Sequence, residues 1–282
     1  MENMNIWHGI HRPYLEQAAE IEFDRAAVHR GHLILVNREH PVKMVPQALN
    51  LLPVKHIQAI GAEHQKMCLE QICLQQLTAL LHACQGLEQI VAVSGYRSSM
   101  EQREFYQSSL LERGALFTAN YVARSNESEH QTGLAVDVGY NDGNVDYISP
   151  SFPDHGVCGT FKQLASKYGF IQRYKKGKEQ ITNIAEEPWH FRYVGFPHAV
   201  IIEQQGLCLE EYISWLTPYQ FGKEHLYFEH ESSMIEIYSM PAQAAMTKVP
   251  ITKCERYQLS GNNVDGFVVT VFHEKDSGYG GI

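Results

Sequence analysis

Ser128-Glu129-His130-Gln131-Thr132-Gly133-Leu134-Ala135-Val136-Asp137 is the stretch whose reading decides how this chain folds. Residues 134–138 read as a strand. Successive side chains of a strand face opposite sides, so Val136 and Val138 turn into a core while the Asp137 carboxylate turns the other way. Gly133 and the small Ala135 let another backbone or a substrate approach closely. Downstream, Glu187-Pro188-Trp189-His190 leads into a second strand over residues 189–194. Two imidazoles and two carboxylates thus stand in turn and strand contexts, where side chains can converge on a cleft.

Catalytic zinc sites commonly take three protein ligands from His and carboxylates and leave one position to water. His130, Asp137 and His190 make such a set, which suits zinc without excluding another divalent ion. Glu187 is then left to take a proton from water. A regular strand sends residues three apart to opposite faces. Glu187 and His190 can therefore share a site only if Pro188, with its fixed φ, breaks the regularity. Spacing alone leaves alternatives open: roughly nine histidines in ten are surface or core residues rather than ligands. No HExxH helix is present. Asp137 could cap a strand end, and Glu187 could be a solvated carboxylate before a proline.

Upstream, Ile90-Val91-Ala92-Val93 reads as a buried strand ending in Ser94-Gly95-Tyr96-Arg97. Ser99 with Gln102 three residues on resembles a capping box, and the helix it opens runs to about Arg113 before Gly114. Apolar residues recurring mostly at helical steps over 54–85 predict a long helix stopped at Gly86. Residues 31–37 read as a short strand, 161–168 as a helix stopped by Gly169, and 209–216 as another helix. After Thr217-Pro218 come strand-like pieces over 226–228, 235–238 and 266–272, punctuated by Asn262-Asn263 and Asp265-Gly266. The chain divides on this reading into a helical or irregular lead-in over 1–30, a main domain over 31–218 and a small β-rich appendage over 219–282. Periodicity by itself establishes mixed α and β content.

The chain has 282 residues, 44% of them hydrophobic, enough to bury a core in one large domain or two smaller ones. A formal net charge of -9, with no Lys/Arg-rich run, argues against a nucleic-acid binder. The first residues lack a basic start followed by an apolar core, and no apolar stretch is long enough to span a bilayer. Cys68, Cys73, Cys84, Cys158, Cys208 and Cys254 show neither CxxC nor framework spacing, which predicts reduced thiols and a cytoplasmic setting.

Ser94-Gly95-Tyr96-Arg97, the Ser128 to Asp137 stretch and Glu187-Pro188-Trp189-His190-Phe191-Arg192-Tyr193-Val194-Gly195 occur in one order. With them the chain resembles the D-alanyl-D-alanine carboxypeptidase and dipeptidase family linked to vancomycin resistance, over roughly residues 31–218. The family comprises VanY-type enzymes and bifunctional VanXY-type ones. The resemblance implies an α+β fold in which a small antiparallel sheet, flanked by helices, carries a zinc site. It implies zinc held by His130, Asp137 and His190, Glu187 as the catalytic base, and Arg97 stabilising the charge on the carbonyl that turns tetrahedral.

It also implies Ser128 and Gln102 as contacts to the substrate's terminal D-Ala; Trp189, Tyr96 and Tyr193 read as pocket walls or core residues. For each of the first two a plainer role stands beside it: Gln102 closing a capping box, Ser128 starting a turn. The implied substrates are peptidoglycan precursor peptides ending in D-Ala-D-Ala. Carboxypeptidase activity leads and a dual dipeptidase/carboxypeptidase follows. A zinc-containing module that binds peptidoglycan without cleaving it is the reading from another class, and the presence of both Glu187 and Arg97 weighs against it.

Overall fold

The computed structural model describes residues 5–9, 17–43, 49–55, 67–230 and 233–274. In chain order the strands and α-helices are β1 (Ile6–Gly9), β2 (Gln17–Asp24), β3 (Leu51–Pro53), β4 (Cys68–Glu70), α1 (Gln71–Ala83), β5 (Ile90–Ser94), α2 (Ser99–Arg113) and α3 (Ala115–Tyr121). They continue with β6 (Ala135–Tyr140), α4 (Gly156–Ala165), β7 (Phe170–Tyr174), α5 (Glu179–Thr182), β8 (Glu187–Tyr193), α6 (His198–Gln205) and α7 (Leu209–Leu216). The last five strands are β9 (His225–His230), β10 (Ser233–Pro241), β11 (Met246–Thr252), β12 (Arg256–Gly261) and β13 (Gly266–Glu274). Two compact units result, Val36–Glu210 and the pair of segments Met1–Leu35 with Glu211–Ile282.

The first of these units is α+β. Its four-stranded sheet has the order β5-β6-β8-β7, every neighbouring pair antiparallel. Val136 and Val138 of β6 are buried in the core, as the alternation requires, and Asp137 sits opposite His190 across the ladder. The β7–β8 ladder slips between Gln172 and Tyr174. One residue of β7 there, Arg173, opposes three of β8, since Gln172 faces Phe191 and Tyr174 faces Glu187. The slip lies beside Pro188, which has no N–H to give the ladder. It breaks the strict alternation of β8, and this is what lets Glu187 and His190 meet.

Helix α1 is capped by Glu70, whose carboxylate accepts from the backbone N–H of Ile72 and of Cys73 at 2.8 and 3.0 Å. It buries Cys73, Leu77, Leu80 and Leu81 along one stripe. Burial of each leucine contributes roughly 1.5–3 kcal/mol. The helix expected over 54–85 therefore starts only at Gln71, and residues 56–66 lie outside the described ones. The capping box of α2 is formed by Ser98 and Glu101, one residue earlier than the spacing of Ser99 and Gln102 predicts. Both pairs match the S-x-x-E/Q pattern, and burial decides between them: Gln102 is inside and donates to the carbonyl of Ala123 at 2.7 Å.

In the other unit a five-stranded antiparallel sheet of order β1-β9-β10-β13-β12 accompanies the β11–β2 pair. Val28, Tyr238, Val249, Ile251, Phe267, Val269 and Val271 form its core. The expected irregular or helical lead-in thus supplies two strands, with Ile6 opposite Phe228 and Ile21 opposite Val249. Their partners lie in the last quarter of the chain, so no local period announces them. The strand expected over 31–37 is not formed. Leu33 and Leu35 are buried, but their N–H groups donate singly, to Ser260 Oγ and to the Asn262 carbonyl, instead of entering a ladder. None of the six cysteines forms a disulfide. Among the described residues no helix is long and apolar enough to cross a membrane.

Candidate metal centre

His130 sits on a 3-10 turn, Glu129–Thr132, closed by Gly133 in the left-handed conformation. Asp137 follows on β6 and His190 stands across from it on β8. Among the described residues these three form the one group whose ligand atoms, one from each side chain, all lie within 4.8 Å of one another. His130 Nε2 is 3.1 Å from Asp137 Oδ2, and His190 Nδ1 is 2.9 Å from Asp137 Oδ1. Ligands at zinc bond lengths of ~2.0–2.2 Å in a tetrahedron are about 3.4 Å apart, so small adjustments accommodate an ion. The other nitrogen of each ring faces an oxygen behind it. His130 Nδ1 is 2.7 Å from the Gly95 carbonyl, and His190 Nε2 is 3.5 Å from Glu129 Oε2. Ring nitrogens turned toward acceptors in this way leave the opposite nitrogens available to a metal. The donor set fits zinc.

The electrostatics agree with that fit. Burial, reinforced by the Arg97 charge, lowers His130 to about 4, so its imidazole is neutral and carries a lone pair at neutral pH. Burial opposes the charged form of His190 as well, yet hydrogen bonds and charge from Asp137, with Glu129 and Glu187, overcome it and raise the ring to about 9. In the metal-free chain His190 holds a proton that a metal would displace. Asp137 is held well below the usual carboxylate range, since its two histidine partners outweigh its desolvation.

Glu187 and Arg97 border the same cavity, with His130, Asp137, His190, Ser128, Gln102 and Trp189. Glu187 Oε2 is 3.7 Å from His190 Nδ1. Desolvation, partly offset by His190, pushes Glu187 up to about 8, where a carboxyl group can both accept and return a proton near neutrality. Arg97 stacks on Phe105 at 4.3 Å and approaches Asp137 at 3.9 Å. Its Nε and Nη1 are buried without a hydrogen-bond partner in the protein, so both donors remain available to a developing negative charge.

Gln102 does line the cavity, with Oε1 buried and unpartnered. Ser128 lines it too and makes no side-chain cap to its turn. Tyr96 is not among the lining side chains; its backbone N–H donates to Cys68. Sequence reasoning missed Phe105, Tyr121, Ile148, Tyr174 and Ile184 on the wall. Beside this cavity a larger one of about 180 Å³ shares Val122, Ala123, Tyr174 and Ile184 with it and continues to Arg38, Arg124 and Glu127.

Comparison with known proteins places the chain in a family. The family model for the VanY D-alanyl-D-alanine carboxypeptidase matches residues 66–196. A bifunctional D-Ala-D-Ala dipeptidase and D-Ala-D-Ala carboxypeptidase, VanXYC of Enterococcus gallinarum, is 41% identical over 186 residues, covering 65% of this chain and 94% of that protein. The chain belongs to the VanY family. A D-alanyl-D-alanine carboxypeptidase of Enterococcus faecium is 30% identical over 264 residues, 91% of this chain and 80% of that relative. The crystal structure of the vancomycin-resistance D,D-dipeptidase VanXYg, in complex with a D-Ala-D-Ala phosphinate analog, superposes with a TM-score of 0.85 at 40% identity. That likeness covers 90% of this chain and 99% of the other. The motif-based resemblance stops near residue 218; this one reaches into the β-rich part beyond it.

Proposed function

We infer that this chain is a zinc-dependent D,D-carboxypeptidase that removes the terminal D-Ala from peptidoglycan precursor peptides. The observation that carries the reading is the convergence of three ligand atoms, a carboxyl group tuned toward neutrality and a buried guanidinium with two unpartnered donors on one cavity. His130, Asp137 and His190 would hold the zinc. Bound there, zinc supplies Lewis-acid chemistry, acidifying water and polarising the scissile carbonyl. Glu187 accepts the proton of the attacking water and passes it to the leaving D-Ala amine. Arg97 directs Nε and Nη1 at the carbonyl oxygen as its charge grows. Ser128 and Gln102 bind the terminal D-Ala, and Trp189 walls the pocket. The adjoining cavity gives room for a peptide longer than two residues, which favours the carboxypeptidase. Reduced thiols suit a cytoplasmic setting with soluble precursors.

Dual activity is the second reading, favoured by the names of the bifunctional relative and of the D,D-dipeptidase structure. The test is release of D-alanine by the zinc-loaded protein from a muramyl-type pentapeptide ending in D-Ala-D-Ala and, separately, from free D-Ala-D-Ala, each with and without chelator. Chelator-sensitive release from the pentapeptide alone supports the carboxypeptidase, and release from both supports the dual enzyme. A zinc-loaded protein that releases nothing overturns the peptidase and leaves the binding module.

A further inference from the structure

We propose that Glu129 is a positioning residue that fixes which nitrogen of His190 faces the metal, and that Arg173 and Arg192 hold Glu129 for that purpose. Glu129 is buried beside His130, on the side of His190 away from the cavity. Its Oε1 accepts from Arg173 Nε and from Arg192 Nη1, both at 2.8 Å. Arg173 is held in turn by a two-pronged contact to Glu210, at 2.8 and 2.6 Å. Arg192 Nε donates to the Tyr193 carbonyl at 3.1 Å. Two guanidiniums thus saturate one oxygen of the carboxylate and fix its plane.

The second oxygen, Oε2, has no hydrogen-bond partner in the protein, and neither has His190 Nε2, 3.5 Å away. Both atoms are buried, and a buried polar atom left unpaired is costly. Each therefore finds its partner in the other, with a modest closing of that distance. An ionised carboxylate only accepts, so His190 must carry its proton on Nε2 and present the lone pair of Nδ1, the nitrogen that lies 2.9 Å from Asp137 Oδ1. The inference rests on the metal-centre reading above, and its test separates the two.

Glu129→Gln tests it through the hydrogen-bond rules. The arginines can only donate, so the amide oxygen must face them and the amide NH2 must face His190 Nε2. That nitrogen then becomes the acceptor, and the proton moves to Nδ1, where it blocks the metal. Zinc affinity by chelator competition should fall about 10–100-fold, and the visible absorption of the Co(II)-loaded protein should change. Glu210→Gln disturbs the same arginine network without touching His190, and should leave zinc affinity within about threefold while lowering the unfolding midpoint.

Should Glu129→Gln not fold, nitrogen-15 NMR of zinc-loaded wild type reads the same point, with His190 expected to be protonated at Nε2 and metallated at Nδ1. Unchanged zinc affinity in folded Glu129→Gln, or a proton on Nδ1 in wild type, overturns the role of Glu129 and leaves the metal centre standing. A wild type that takes up no zinc removes the metal centre itself.

Discussion

Glu129 and Glu236 are both fully buried carboxylates, one in each unit, and each is flanked by two basic side chains. Their surroundings differ. Around Glu236 both oxygens are taken: His225 Nδ1 is 2.5 Å and the Tyr227 hydroxyl 3.3 Å from Oε1, while Thr252 Oγ1 and His273 Nε2 each lie 2.9 Å from Oε2. Around Glu129 two arginines take one oxygen and the other faces the His190 imidazole at 3.5 Å. Among the described residues, the buried side-chain atoms without a hydrogen-bond partner belong to Arg97, Gln102, Glu129, His190 and His225. All but the last border the cavity beside His130, Asp137 and His190 or touch a residue that does. Buried charge is therefore not what marks a site in this molecule. Buried hydrogen-bonding capacity left open on or next to the cavity-lining side chains does so, whereas the Glu236 carboxylate, with both oxygens taken, serves the fold.

The contrast predicts opposite responses to similar substitutions. Glu187→Gln should lower kcat about 10²–10⁴-fold, with zinc retained in a chelator competition and no loss in the unfolding midpoint. The amide replaces a carboxyl group that burial already brings toward neutrality. In wild type the acid limb of kcat/KM should lie below 8, because a bound cation favours the carboxylate, and activity falls as Glu187 takes up its proton. A Glu187→Gln protein of normal activity would break the comparison at once.

Glu236→Gln should do the reverse, with kcat near wild type and stability reduced by about 3 kcal/mol at pH 7. Desolvation pushes Glu236 up, but hydrogen bonds from His225 and His273 outweigh it and hold the group to about 2. A folded value depressed below the free carboxylate value of about 4.3 stabilises the protein fully above that pH. The contribution is lost as pH falls toward 2. Urea unfolding of wild type and variant should therefore converge between about pH 4.3 and 2. Curves that stay parallel through that range would show that the cluster is not held by a charged carboxylate.

How much of this was legible in the sequence depends on how local the signal is. The strand around Asp137, the helix over 99–113 and the two motifs carry their own periodicity and turn residues, and the structure brings His130, Asp137, His190, Glu187 and Arg97 together. Glu129 stood inside the quoted motif, but its function depends on Arg173 and Arg192, which reach it from β7 and β8 and have no spacing relation to it. The first two strands were invisible for the same reason, since an edge strand whose partner lies some two hundred residues later has no short-range pattern. Where two readings matched locally, as at Ser98 and Ser99, only burial of Gln102 could choose between them.

The smallest expected effect is also the one that couples the site to the fold. Gly133 has φ +73° and closes the turn that carries both Glu129 and His130. A Cβ there would stand 2.7 Å from Leu51 Cδ2 and 3.1 Å from the backbone nitrogen of Glu70, which itself donates to the Gly133 carbonyl at 2.9 Å. The leucine methyl can swing aside, but the nitrogen belongs to the residue that caps α1 and yields less easily. Gly133→Ala should cost about 1–2 kcal/mol, from left-handed strain plus this contact. Unlike the other two substitutions it should move both readouts, with zinc affinity falling a few-fold as the turn shifts His130 and Glu129 together. A loss of stability with unchanged zinc affinity would mean that β6 and the Gly95 carbonyl, rather than the turn, set the position of His130. The open hydrogen-bonding capacity at the candidate metal centre would then be supported by the sheet alone.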